Sequence, residues 1–171
     1  MPTVRFALIA GVLLHRRELP LGATKGHICY APPMIPSLII NIDVPDINAA
    51  VAFYECGLGF RFRRMLFDRS AAELDYAACR IFLIQKPAGS IAVPGTSKAR
   101  DYSSHWTPVH LDLAVGNLEA AIATARAAGA TASGSISRHA FGDLAPMRDP
   151  FGNGFCLIEF NVDGYDAVES G

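Results

Sequence analysis

The chain has 171 residues, of which 51% are hydrophobic and 18% charged, with a formal net charge of −1. That length fits one ordinary domain or two small modules sharing a core. No Lys/Arg run interleaves with aromatics, which argues against a nucleic-acid partner and leaves small molecules or further copies of the chain.

The N-terminus reads "MPTVRFALIAGVLLHRRELP". Its apolar run, Phe6 to Leu14, is too short to span a bilayer. The single early positive charge and the poor cleavage region make a weak signal peptide. Residues 1–33 are therefore read as an extension outside the core, with the domain at 34–161 and a tail at 162–171. The four cysteines, Cys29, Cys56, Cys79 and Cys156, contain no CxxC pair and no zinc-finger rhythm. They point to a reducing, cytoplasmic setting with no membrane partner.

The first strand-and-helix unit is "IINIDVPDINAAVAF" (39–53). Asp46 stands where an N-cap side chain would accept from free amides. Ile47, Ala50, Val51 and Tyr54 follow at i, i+3, i+4 and i+7, an apolar stripe for a sheet. Gly57 or Gly59 provides the exit. Strand-like runs follow at 60–67, 71–77 and 79–85, and 88–104 is a Gly/Pro/Ser-rich connector.

The segment "PVHLDLAV" (108–115) is expected to be a strand. Alternation puts His110, Asp112 and Ala114 on one face and Val109, Leu111, Leu113 and Val115 on the other. A second helix is expected after the cap Asn117, with the stripe Leu118, Ala121, Ile122 and Ala125 and an exit at Gly129. Strands are expected at 131–137 (weak), 143–149 and 154–160, the last two joined by the turn "DPFGNG". Residues 110–124 repeat the pattern of 39–53 at an offset of 71. The fold class is thus α+β: two βαβββ modules, one at 36–87 and one at 105–161.

These pieces, "NIDVPDINAAVAFYECGLGF", "HLDLAVGNLEAAIATARAAGA" and "DPFGNGFCLIEF", resemble the vicinal oxygen chelate superfamily. That group holds glyoxalase I, extradiol dioxygenases and bleomycin-resistance proteins, and the closing piece is most similar to its glyoxalase-like subgroup. The resemblance implies two facing troughs that form a curved, cavity-bearing sheet, dimerisation, and metal-ligand positions on the first and last strand of each module. Carried onto this chain those positions are Ile39, Phe82, His110 and Cys156. Ile39 and Phe82 offer no donor. Asp112 lies roughly 6.6 Å along the strand from His110, so it would converge only with distortion.

No metal and no cofactor are therefore expected. His110 either anchors a ligand or is a histidine satisfied by Asp112 or a backbone carbonyl. Cys156 reads as an inert thiol. Trp106 stands either at a pocket rim or at a module interface. The arginines of "FRFRR" read as a solvated face, with an anion contact as the lesser option. The expected function is binding of a small organic molecule by His110, Asp112, Trp106, Asn41, Ile39, Phe82, Cys156 and Ile158 in a mostly apolar cavity. The alternative is a metal-dependent lyase, isomerase or dioxygenase with an atypical centre. A homodimer is expected in either case.

Overall fold

The computed structural model describes residues 38–170. The expectation for residues 1–33 lies outside these. In chain order the elements are β1 (Ile39–Val44), α1 (Ile47–Leu58), β2 (Arg61–Leu66), β3 (Ala71–Tyr76), β4 (Cys79–Gln85), β5 (Leu111–Ala114), α2 (Leu118–Ala127), β6 (Thr131–Ala132), β7 (Ser137–His139), β8 (Gly142–Arg148) and β9 (Gly154–Phe160). A short 3-10 turn at Gly164–Val168 follows. No helix among the described residues is long and apolar enough to cross a membrane.

The first sheet has the order β1-β4-β3-β2, and the second has β5-β9-β8-β6 with β7 also on β8. Each sheet opens with a parallel pair, β1 with β4 and β5 with β9, and continues antiparallel. The registers are equivalent: Asn41 faces Phe82 in one ladder and Asp112 faces Cys156 in the other.

Local sequence accounts for the helices. Asp46 Oδ1 accepts from the Asn48 and Ala49 amides, and Asn117 Oδ1 accepts from Ala120. Each cap satisfies amides that have no partner inside the helix. Gly59 ends α1 at φ 72°, a left-handed conformation that glycine adopts without a Cβ penalty. Gly57 is not the exit. It lies inside α1, where a Cβ would come within 2.7 Å of the Ala128 Cβ at the end of α2. The helices therefore pack on each other as well as on their sheets.

The weak strand expected at 131–137 is two short strands, because Ser133–Ile136, with Gly134 and no inward apolar alternation, leaves the ladder between them. Inward-facing residues of both sheets, among them Val44, Leu74, Leu83, Leu113, Met147 and Leu157, belong to one hydrophobic cluster. Fully burying each large side chain contributes about 1.5–3 kcal/mol. A polar tie crosses the same core. The Tyr54 hydroxyl of α1 donates to Asp149 Oδ2 at 2.8 Å, and Asp149 also accepts from the Phe151 and Asn153 amides and from Asn153 Nδ2. Burial, with the Asp149 charge second, pushes the Tyr54 hydroxyl well above its ordinary value, so it stays a donor.

The connector is a strap. It carries a single bridge, Ile91 with Ala99. Arg100 is half-buried; its Nε donates to Asp43 Oδ2 at 2.7 Å and its Nη1 to the Ile91 carbonyl at 2.6 Å. One side chain thus closes the strap on itself and fastens it to β1.

Candidate functional site

His110 lies one residue ahead of β5 and not inside a strand, because the ladder with β9 begins at Leu111 facing Phe155. The delay has a local cause. Pro108 has no amide to give, and the Thr107 hydroxyl takes the Val109 carbonyl in a tight turn, leaving Val109 83% exposed. Side-chain alternation nevertheless carries past the strand end. His110 Nε2 is 3.2 Å from Asp112 Oδ1. Cys156, the ladder partner of Asp112, is buried against that carboxylate. Burial first, then the Asp112 charge and hydrogen bond, push the Cys156 thiol up to about 12, so it holds its proton at neutral pH.

The distance argument against convergence therefore does not hold. His110, Asp112 and Cys156 offer three donor atoms within 4.8 Å of one another, the one such group among the described residues. A tetrahedral zinc takes nitrogen, oxygen and thiolate donors of these kinds at about 2.0–2.3 Å. The donor types fit such an ion once Cys156 gives up its proton, and a fourth position would be left for water. The first module adds nothing, since Ile39 and Phe82 carry no donor atom.

Trp106 covers this face. Its ring stands directly over Gly154, where a Cβ would meet Trp106 Cε3 at 2.2 Å. Its centroid is 4.7 Å from the His110 ring. Glycine at 154 is what lets the indole lie against the strand.

A cavity of about 490 Å³ lies between the modules, walled mostly by apolar groups. Ile40, Ile42, Leu111, Leu113 and Phe155 form its floor, and His110, Asn41, Tyr54, Asn153, Tyr102 and His105 bring polar groups to it. The strap covers it with Ala92 and Arg100–Tyr102. The other expected residues sit elsewhere. Ile39, Asn41 and Phe82 line a separate depression of about 470 Å³ on the first sheet, beside Phe67, Ile84 and Lys86. Cys156 and Ile158 are buried at 4% and 2% exposure. Asn41 alone touches both spaces.

Sequence reading missed Tyr54, Asn153, Arg100, Tyr102 and His105 as cavity residues. Tyr54 was visible as a helix-stripe residue and Asn153 as a turn residue. Neither local signal says that the two meet across the modules. The arginines of "FRFRR" are paired rather than free: Arg61 and Arg63 with Asp75 at 2.9 and 3.4 Å, Arg64 with Glu73 at 2.6 Å. Glu159 turns to the helix side, where it accepts the Leu118 amide at the start of α2.

Comparison with known proteins gives the same architecture. The glyoxalase-like domain family matches residues 39–158. A glyoxalase/bleomycin resistance protein/dioxygenase family enzyme from Burkholderia phytofirmans PsJN superposes with a TM-score of 0.58 at 21% identity, over 72% of this chain and 97% of that one. The fosfomycin resistance protein FosX from Listeria monocytogenes gives 0.57 at 17% identity, over 76% and 95%. A glyoxalase/bleomycin resistance protein from Albidiferax ferrireducens T118 gives 0.51 at 20%, over 72% and 97%. At such identities the likeness is one of fold. No curated protein matches the chain in sequence.

Proposed function

Because the chain belongs to the glyoxalase-like domain family, we propose that it binds a small organic molecule without a metal centre, in the cavity between its two modules, with His110 as the polar anchor. The observation that carries this reading is the cavity itself: about 490 Å³, mostly apolar, with the imidazoles of His105 and His110 at its wall. Ligand pockets span about 300–1,000 Å³ and pair apolar walls with a few orienting polar groups. The His110 imidazole is already oriented by Asp112, which leaves its other ring nitrogen for a ligand carbonyl or hydroxyl. The free thiols Cys56, Cys79 and Cys156 fit a reducing, cytoplasmic setting.

A second reading, a metal-dependent lyase, isomerase or dioxygenase, is favoured by one observation, the convergence of His110, Asp112 and Cys156. One experiment separates the two. Native mass spectrometry of the purified protein is expected to find a co-purifying organic molecule, with no stoichiometric metal by elemental analysis. His110→Ala then weakens retention of that molecule by about tenfold, equal to about 1.4 kcal/mol. Stoichiometric zinc, iron or manganese that disappears in His110→Ala would establish the second reading instead.

A further inference from the structure

Most side-chain donors at the wall of the cavity between the modules are already committed to the protein. The Tyr54 hydroxyl donates to Asp149, the Tyr102 hydroxyl to the Lys86 carbonyl at 2.8 Å, and the Thr107 hydroxyl to the Val109 carbonyl. Arg100 donates to the Asp43 carboxylate, the Ser90 hydroxyl and the Ile91 and Ala92 carbonyls. His105 Nδ1 lies 2.9 Å from the Ser103 carbonyl, which only accepts, so this nitrogen carries a proton. His110 Nε2 stands in the same relation to the Asp112 carboxylate at 3.2 Å.

What the wall has left is mostly acceptors. In each neutral imidazole the second nitrogen, Nε2 of His105 and Nδ1 of His110, is a bare lone pair. Asn153 gives Nδ2 to Asp149, which leaves its Oδ1. His105 and Asn153 are close, since the His105 amide donates to the Gly152 carbonyl. The charge at the wall points the same way. Asp43 is neutralised by Arg100 at 2.7 Å. Asp101, on the strap, accepts from the amide and the hydroxyl of Ser103, and has no cation within ion-pair distance among the described residues. Asp149, one hydrogen bond behind Tyr54 and Asn153, is buried and takes its bonds from neutral donors. A buried carboxylate with no countercharge projects its field into the apolar space beside it.

We propose that the bound molecule is an organic ammonium: an apolar body with a protonated amine whose N–H groups are accepted by the bare imidazole nitrogens and the Asn153 carbonyl oxygen. This rests on the small-molecule reading above and names the class of ligand. An ammonium brings donors and no acceptor, the complement of a wall with acceptors and no free cation. Its bonds are charge-assisted, about twice as strong as neutral ones. A carboxylate or phosphate would meet the like charge of Asp101 and find Arg100 already taken.

The test is calorimetric titration of the full chain at neutral pH with three probes that share one apolar body: naphthylmethylamine, which is protonated, naphthylmethanol and naphthoate, all substituted at the same ring position. The amine is expected to bind about tenfold more tightly than the alcohol, and the naphthoate more weakly than either. His105→Phe keeps an aromatic ring and removes an acceptor, and is expected to weaken the amine about fivefold. Asp101→Asn, at an exposed position, is expected to weaken the amine about two- to threefold and so narrow its lead over the alcohol. If circular dichroism shows that His105→Phe does not fold, Asp101→Asn and the three probes on the wild-type chain decide. Naphthoate that binds as tightly as the amine overturns the proposal, as does an amine affinity that neither variant changes. Alcohol binding equal to that of the amine removes the ammonium and leaves the small-molecule reading standing. Binding of none of the three removes both.

Discussion

Cys156 is a thiol with a carboxylate for a neighbour and almost no water. Its pKa of about 12 stands against an ordinary value near 9. Alkylation needs the thiolate, so at pH 8.5 iodoacetamide is expected to label exposed Cys56 and leave Cys156 untouched, as peptide mapping would show. Burial is the larger cause and Asp112 the smaller, so Asp112→Asn is expected to lower the value and admit partial labelling of Cys156. Labelling of Cys156 at the Cys56 rate in the wild-type protein would contradict this account. The sign for stability follows from the same shift. The folded chain holds this proton more tightly than the unfolded chain, so the contribution is intact below about pH 9 and is lost as pH rises toward about 12.

At the scale of elements, the contact between the helix α1 and the end of α2 is the sharpest constraint. Replacing glycine by alanine inside a helix ordinarily gains about 0.5–1 kcal/mol. At Gly57 the added Cβ would meet Ala128 at 2.7 Å and Phe53 at 3.3 Å. Gly57→Ala is therefore expected to lose about 1–3 kcal/mol, the range for overpacking, measured by urea unfolding; a stability gain would show that the helices separate without cost. The helices also show what a sequence discloses. Asp46 and Asn117 were legible as caps because a cap is satisfied within three residues. The equivalence of Ile39 with His110 and of Phe82 with Cys156 was legible because the repeat offset transfers the register, but the rows were not: the ladders set Asn41 beside Phe82 and Asp112 beside Cys156. Gly57 was ambiguous, since its reason lies in the other helix. The Arg100–Asp43 pair, 57 residues apart, has no local signal, and neither does the meeting of Tyr54 with Asp149, 95 residues apart.

For the whole molecule, large apolar side chains stand exposed at the start of β1 and in the loops between strands: Ile39 at 46%, Phe67 at 77%, Trp106 at 44% and Ile136 at 47% exposure. Apolar groups in such number favour burial against another surface, and a second copy supplies the same groups by symmetry. A homodimer is the expected assembly. Light scattering at micromolar concentration should return twice the chain mass, and a monomer mass would count against it.

The tie between Tyr54 and Asp149 has a consequence for how the chain is made. Residues emerge from the ribosome in order, so the first βαβββ unit is complete long before Asp149 exists. During that interval Phe53, Tyr54 and Gly57 present an apolar helix face whose cover, α2 and the β8–β9 hairpin, has yet to be synthesised. Asp149, made 95 residues after Tyr54, finds its donor already in place. The shared core therefore closes only once Asp149 and the β8–β9 hairpin have been made, and until then the half-made chain leaves the apolar face of α1 uncovered.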